Sequence, residues 1–193
     1  MITRENIRGS GTKKRIVEAA LGLFVAQGIS ATTTREIADR AGIAEGTIYR
    51  HFESKDALAN EMFLDGFVPF SNFLAQLDGR EGTLVDKVEM ATAQFYRLFD
   101  ADPTLWMYIM TFQTGEQSKV PKGTPTPFSV LRDLLETATR SGELRDFDPD
   151  LGVQILLGII EHPAEGVAYG ELSGPLTPRL PEVIGAIRRV LST

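Results

Sequence analysis

The segment at residues 33–58, TTREIADRAGIAEGTIYRHFESKDAL, constrains the fold of this chain more than any other part of the sequence. Thr33 and Glu36 have the spacing of a capping box, which predicts that a helix begins there. Small apolar residues then fall on one face of that helix, at Ile37, Ala38 and Ala41. Gly42 follows, and glycine tolerates the positive φ of a sharp turn. The segment therefore predicts two short helices joined by a tight turn, and then the start of a third helix.

The second short helix divides its residues between a core and an outer face. Core contacts are expected from Ile43, Ile48 and Phe52. The remaining positions are available to point elsewhere: Glu45, Gly46, Thr47, Tyr49, Arg50 and His51. Small residues, a turn glycine and a short helix with polar and aromatic tips are the sequence form of a helix-turn-helix, whose second helix enters the major groove of DNA.

The same stretch resembles the DNA-binding signature of the tetracycline-repressor (TetR) family of transcriptional regulators. The matching positions are Thr34, Ile37, Ala38, Ala41, Gly42, Ile43, Thr47, Ile48, Tyr49, His51, Phe52, Lys55 and Leu58. The signature, with the helix before it, covers roughly a quarter of the chain. The resemblance implies a regulator whose amino-terminal part binds DNA and whose carboxy-terminal domain holds a pocket for a small ligand.

We predict that contacts to DNA come from the helix-turn-helix and from the residue that starts the next helix. The predicted set is Thr33, Thr34, Arg35, Ala44, Glu45, Gly46, Thr47, Tyr49, Arg50, His51 and Lys55. Tyr49 is expected to reach a phosphate, because Ile48 and Phe52 already fill the core beside it. His51 shares a helix face with Thr47, and the family match favours a DNA backbone contact over a structural role.

Some of the basic residues leave alternatives open. Lys55 starts a helix, where the dipole disfavours a cation unless an anion is near, so a phosphate explains its position better than solvent does. Arg35 and Arg50 either reach a base or coat the surface. Arg4 and Arg8 belong to a polar arm that either enters the adjacent minor groove or stays solvated without DNA.

Two residues depart from the family pattern at the start of the second helix. Ala44 stands where the family often has a Ser or Thr cap, which predicts a weakly capped helix at a cost of ~1 kcal/mol. Glu45 places a carboxylate near the expected phosphates. It suits the helix dipole and can accept from cytosine N4, but it repels the DNA backbone. Both residues bear on operator sequence and affinity.

The distribution of charge supports this interpretation, although the net charge of −6 at first argues against DNA. Residues 1–55 carry nine basic and six acidic side chains, a net of +3, and the rest of the chain carries a net of −9. A basic amino-terminal quarter on an acidic body suits a DNA reader whose other domain has a different task.

Composition and hydrophobic periodicity predict an all-α fold of about nine helices. The 193 residues include no cysteine, and we expect a cytoplasmic protein with neither a signal peptide nor a membrane span. Residues 1–53 are predicted to form the arm and helix-turn-helix domain. Residues 54–193 would form the effector-binding and dimerisation domain, with 54–70 as a connecting helix. Pro69 is expected to kink or break its helix, and Pro163 is expected to bend its helix.

The helices predicted near 83–100 and 104–115 carry more large side chains than two helices need to pack a core. Any one of these side chains alone more often packs in a core than lines a pocket. An apolar cavity with a few polar groups is the usual form of a small-ligand pocket. The predicted lining is Met90, Gln94, Phe95, Trp106, Met110, Gln113, Leu131, Leu135 and His162.

The helix predicted near 149–168 is apolar on so many sides that we expect a homodimer. With the final helix it would form a four-helix interface across a two-fold axis. The predicted interface residues are Val153, Leu156, Ile160, Val183, Ile184, Ile187 and Leu191. The alternative is that both apolar stripes pack wholly inside one protomer.

These features together predict a DNA-binding regulator that a small apolar or amphipathic effector releases from its operator. An activator and a regulator without a ligand are alternatives in the same class. A helical small-molecule carrier without DNA binding is the alternative from another class. We expect neither an enzyme nor a bound cofactor or metal, because the two histidines are not spaced for a metal site and no phosphate-binding glycine loop occurs.

Overall fold

The computed structural model describes residues 11–116, 123–145 and 148–191, without the side chains of 113–116. Across these ranges the chain is helical and contains no strand, which confirms the all-α prediction. The α-helices of the described ranges are α1 (Gly11–Gln27), α2 (Thr34–Ala41), α3 (Glu45–Ile48), α4 (Lys55–Ala75), α5 (Leu84–Ala101), α6 (Pro103–Glu116), α7 (Pro127–Ser141), α8 (Pro149–Ala168) and α9 (Leu180–Leu191). A 3₁₀ helix, Thr177–Arg179, precedes α9. The predicted arm with Arg4 and Arg8 lies outside the described residues.

Helix boundaries follow the capping residues in the sequence. Thr126 caps α7 by accepting from the Ser129 amide at 3.0 Å, and Asp148 caps α8 by accepting from the Asp150 amide at 2.9 Å. Gly142 ends α7 with a left-handed φ of 78°, a conformation that costs glycine little. Local sequence therefore determines where these helices begin and end.

The two prolines inside helices do not break them. Helix α4 continues through Pro69 to Ala75, and α8 continues through Pro163 to Ala168. Proline removes one backbone hydrogen bond, and buried side chains beyond Pro69 anchor the rest of α4. These side chains are Phe70 and Leu74. Pro69 therefore does not break α4, and a kink at this residue stays a prediction.

The described residues form two compact units, of which the first comprises 11–70 and 104–116. Aromatic rings fill its interior: Phe63 stacks on Phe67 and Phe112, with ring centroids 4.9 and 4.8 Å apart. The Tyr108 hydroxyl donates to the Ala59 carbonyl at 2.6 Å. The same core buries Ile16 and Ala20 of α1, Ile37 of α2 and Ile48 of α3. Helix α2 packs against α1, and α3 packs against α2.

The second unit comprises residues 71–103, 123–145 and 148–191. Helix α7 packs on α8, and α9 packs on both α5 and α8. The Asp100 carboxylate, near the end of α5, accepts from the amides of Leu176 and Thr177 at 2.7 and 2.8 Å and so fixes the approach to α9. The predicted boundary between residues 53 and 54 separates functions, and it stays a prediction.

Candidate nucleic-acid interface

Helix α2 begins at the capping box that its sequence predicts. The Glu36 amide donates to Thr33 Oγ1 at 3.2 Å, and Glu36 Oε2 accepts in return from the Thr33 amide at 2.7 Å. These hydrogen bonds stabilise the carboxylate, and they hold the pKa of Glu36 below its ordinary value. The reciprocal bonds give Thr33 and the next residue, Thr34, a defined position at the amino end of the motif.

The turn between α2 and α3 is a Schellman motif at Gly42. This residue has φ 64° and ψ 45°, and its amide donates to the Asp39 carbonyl at 3.2 Å. The amide of Ile43 donates to the Ala38 carbonyl at 3.1 Å. The turn therefore has the geometry that the glycine predicted, and it directs α3 away from α2.

Helix α3 is short and begins without a side-chain cap. Ala44 has an extended backbone and makes no capping hydrogen bond, as its side chain predicts. After Ile48 the chain continues in tight turns, in which the amides of His51 and Phe52 both donate to the Ile48 carbonyl. Ile48 and Phe52 are buried, so they anchor this segment and leave its other side chains outside.

Three predicted DNA-binding side chains join α2 to α3. Thr34 Oγ1 donates to Glu45 Oε1 at 2.5 Å and lies 3.3 Å from the Tyr49 hydroxyl. Because Thr34 has one proton and gives it to Glu45, Tyr49 is the donor to Thr34. We call Thr34, Glu45 and Tyr49 the hydroxyl–carboxylate chain. It fixes three polar groups on one exposed surface.

Most of the predicted DNA-binding residues are exposed, as an interface requires. The exposed residues are Thr33, Arg35, Ala44, Glu45, Gly46, Tyr49, Arg50 and His51. Tyr49 is 54% exposed, so it does not fill the core. Thr34, Thr47 and Lys55 are half-buried. Contact with DNA stays a prediction for every residue of the set.

Lys55 has protein partners that the sequence did not reveal. Its ammonium donates to the carbonyls of Ile29 and Thr32 at 2.6 and 2.5 Å, and the Ser30 carbonyl lies 3.5 Å away. These carbonyls belong to the loop at residues 28–33, which joins α1 to α2. The cation at the start of α4 therefore has electronegative partners without a phosphate.

Sequence patterns also missed two residues that support the motif. Thr32 is buried, and its hydroxyl donates to the Gly28 carbonyl at 2.8 Å within the same loop. Lys13 of α1 pairs with Glu61 of α4 at 2.5 Å and lies 5.4 Å from the centroid of the Phe52 ring. The Lys13 contacts have no local sequence signal, because they depend on how distant segments meet.

The predicted effector residues have different environments. Phe95, Leu131 and Leu135 are buried in the second unit, whereas Trp106 is buried in the first. Met90, Gln94 and Met110 are half-buried, and the Gln113 side chain lies outside the described residues. The His162 side chain is 79% exposed beside Glu165, and its assignment to the effector pocket stays a prediction.

An open cleft of about 470 Å³ follows the outer face of α5 in the second unit. Met90 is the only predicted effector residue that lines it. The cleft is lined by Phe73, Arg80, Asp86, Glu89, Met90, Ala93 and Arg97. Sequence reasoning did not single out its two arginines.

Five of the seven predicted interface residues face the interior of the protomer. Val153, Leu156, Ile160, Ile184 and Ile187 are buried within one chain, and their assignment to a dimer contact stays a prediction. Val183 and Leu191 remain half-buried. Helix α8 and its C-cap residue expose a stripe at seven-, four- and seven-residue intervals, Leu151, Gly158, His162 and Tyr169, which we call the α8 outer stripe.

Neither a metal site nor a membrane helix is found in the described ranges. No three His, Cys, Asp or Glu side chains there are grouped to hold a metal ion. None of the helices that the structure describes is long and apolar enough to cross a membrane.

The helical fold and the exposed polar face of α2 and α3 define a helix-turn-helix DNA-binding protein. Residues 16–62 match the family model of bacterial regulatory proteins, tetR family. This match and the relatives described next show that the amino-terminal segment is similar to the DNA-binding segment of TetR-family transcriptional regulators.

Two curated relatives are HTH-type transcriptional repressors called KstR2. The chain is 44% identical to the protein of Rhodococcus jostii RHA1 over 59 residues, 31% of this chain and 28% of that protein. It is 27% identical to the protein of Mycolicibacterium smegmatis over 179 residues, 86% of this chain and 82% of that protein. A tetR family regulator from Shewanella sp. PV-4 shares the fold, with a TM-score of 0.68, 24% identity and coverage of 94% of this chain and 96% of that one.

Proposed function

We propose that this chain is a repressor that binds operator DNA as a homodimer in the cytoplasm. The observation that carries the proposal is the exposed hydroxyl–carboxylate chain of α2 and α3, which Arg50 and His51, also exposed, follow directly in sequence after Tyr49. Hydroxyl groups and cations on such a surface are suited to phosphates and base edges. Both KstR2 relatives are repressors, which favours repression over activation for this chain.

The first experiment tests DNA binding directly. A labelled duplex from upstream of the chain's own gene is titrated with purified protein, and a shuffled duplex of equal length serves as the control. We expect saturable binding that is tighter on the upstream duplex. In a transcription assay on the same DNA, the protein should lower transcript yield. Equal and weak binding to both duplexes would favour the carrier alternative.

We also propose that a small apolar or amphipathic effector releases the DNA. Trp106 is the only tryptophan, it is 3% exposed, and its ring lies edge-on to Phe70 with centroids 5.1 Å apart. Phe70 belongs to α4, the helix that begins directly after the DNA-binding motif. A ligand that changes the packing of α4 should therefore change the emission of Trp106.

The effector experiment uses straight-chain alcohols, straight-chain carboxylates and polycyclic hydrocarbons as probes. We expect one class to shift Trp106 emission with saturation and to release the labelled upstream duplex over the same concentration range. Trp106→Phe removes the optical signal and serves as the control for inner-filter effects. Saturable binding that never changes DNA affinity would remove the regulatory claim.

A further inference from the structure

We infer that Lys55 is a positioning residue, which holds the α1–α2 loop in place for DNA recognition and does not contact a phosphate. The carbonyls of Ile29, Ser30 and Thr32, together called the carbonyl cage, surround its ammonium group. This inference goes beyond the proposed function, because it concerns what holds the DNA-binding surface in shape.

The geometry satisfies the donors of the ammonium group. An ammonium has three N–H donors, and the cage offers two short contacts of 2.6 and 2.5 Å and a longer one of 3.5 Å. The Ile29 and Thr32 bonds are partly buried, which shields them from water. A phosphate could bind Lys55 only by taking the ammonium out of this cage. The Ser30 and Thr32 carbonyls would then lose the lysine donor, and the Ile29 carbonyl would keep only the Thr32 amide.

The local electrostatics explain why a lysine is stable at the start of α4. The amino end of α4 alone disfavours a cation, but the cage follows directly after Gln27, where α1 ends. The carboxyl end of a helix carries a partial negative charge and favours a cation. Loop carbonyls and the end of α1 therefore replace the anion that the sequence led us to expect.

The cage lies next to the DNA-binding surface along the chain. Thr32, which supplies one carbonyl, is followed by Thr33, the capping residue of α2, and then by Thr34 of the hydroxyl–carboxylate chain. The loop itself is folded by Thr32, whose hydroxyl and amide donate to the Gly28 and Ile29 carbonyls. Lys55 thus ties the first residue of α4 to the segment that positions the start of α2.

The test compares two substitutions of Lys55, one that removes the charge of the side chain and one that keeps the charge but changes its hydrogen-bonding geometry. Lys55→Met removes the charge and the donors but keeps a long side chain. Lys55→Arg keeps the charge, but its planar fork suits a phosphate better than three separate carbonyls. Arg50→Gln is the control, because Arg50 is exposed and makes no side-chain bond among the described residues.

Each protein is titrated over a salt series against a labelled duplex selected from a random pool by the unsubstituted chain. Hydrogen–deuterium exchange of residues 28–34 is measured on the same samples without DNA. We expect both Lys55 variants to bind about tenfold or more weakly, with an unchanged dependence of affinity on salt and faster exchange in the loop. Arg50→Gln should leave the exchange of the loop unchanged.

A phosphate contact predicts the opposite pattern. Lys55→Met would then lower the salt slope by about one unit per protomer, and Lys55→Arg would bind like the unsubstituted chain. Either result overturns the inference, as does unchanged exchange in both variants. If Lys55→Met does not fold, Lys55→Arg still decides between the two roles. If no duplex is selected at all, the proposed function fails, while the exchange measurement still tests the cage.

Discussion

At the residue scale, the polar groups of the α2–α3 surface are already engaged with one another before DNA arrives. Thr34 donates to Glu45, and Tyr49 lies within hydrogen-bonding distance of Thr34. DNA must therefore either accept this arrangement or exchange its bonds for new ones. Glu45 has two opposite effects on DNA binding. Its exposed carboxylate repels phosphates, and it can accept a hydrogen bond from a cytosine amino group.

Glu45→Gln should strengthen binding to DNA without an operator and weaken discrimination among sequences. Removal of one exposed like charge predicts a gain of about twofold to fivefold on a random duplex. Fluorescence anisotropy on random and selected duplexes measures both effects. Glu81→Gln removes an equal charge from an exposed loop of the second unit and should change neither. Weaker binding of Glu45→Gln to the random duplex would contradict the predicted repulsion.

A second residue-scale prediction concerns Glu161 on α8. Burial raises its pKa to about 7, and the neighbouring Glu165 carboxylate adds to the rise. The folded chain therefore holds this proton more tightly than the unfolded chain, whose value is near 4.5. The contribution of Glu161 to stability should fall as pH rises from about 4.5 to 7 and stay low above that.

Glu161→Gln should remove this pH dependence. We expect it to raise the melting temperature at about pH 8 and to change it little at about pH 5, where the folded carboxyl is already neutral. Glu165→Gln should give a smaller gain, because it removes only the secondary cause. Thermal unfolding followed by circular dichroism measures the series. An equal effect of Glu161→Gln at both pH values would show that burial of the charge is not the cause.

The sequence predicted some contacts of individual residues and missed others. The capping box at Thr33 and Glu36 and the missing cap at Ala44 are local, so spacing alone predicted them. The partners of Lys55 lie 26 and 23 residues away and are backbone carbonyls, which carry no side-chain signal. Such a contact depends on how the loop folds, and periodicity contains no information about that.

At the element scale, caps predicted helix boundaries better than prolines did. Helices α7 and α8 begin after Thr126 and Asp148, as their sequence indicates. Pro69 does not end α4, which continues to Ala75 with Phe70 and Leu74 buried beyond the proline. The turn at Gly42 is the boundary that matters most for function, since it directs α3.

Gly42→Ala should destabilise the chain by about 1–2 kcal/mol, because an L side chain is strained at its φ of 64°. The structure leaves open space around a Cβ at this position, so the strain is conformational and not steric. Gly185→Ala is the matched control, in a helical backbone where a Cβ also meets no atom within 4 Å, and it should be neutral or stabilising. Urea unfolding of both variants checks the difference, and equal stability would contradict it.

At the scale of the whole molecule, the sequence indicated a dimer but assigned its contacts to residues of the core. Helix α8 is apolar on most sides, so its pattern could not show which side faces its own protomer. The structure separates the sides: Val153 and Leu156 are buried within the chain, whereas Leu151 and Tyr169 are 56% and 72% exposed. A test that places a charge at buried Ile187 would unfold the protomer before it probed any interface.

The α8 outer stripe provides a test that leaves the core intact. Gly158, near its centre, meets no atom within 4 Å of a Cβ position, so a second copy of the helix could approach closely there. We expect Leu151→Asp with Tyr169→Asp to give folded monomers, because burying these charges in an interface costs several kcal/mol, about enough to dissociate a dimer. Gln76→Asp with Thr137→Asp adds two charges at exposed positions of the same unit and should stay dimeric.

Light scattering gives the mass of each variant, circular dichroism confirms folding, and anisotropy reports affinity for the selected duplex. Monomers should bind that duplex far more weakly than the control, because a helix-turn-helix dimer reads two half-sites about 34 Å apart and a monomer reads only one. If the Leu151 and Tyr169 variant remains a dimer with undiminished affinity, the two-fold contact lies on another face, and the half-buried Val183 and Leu191 of α9 become the next positions to substitute.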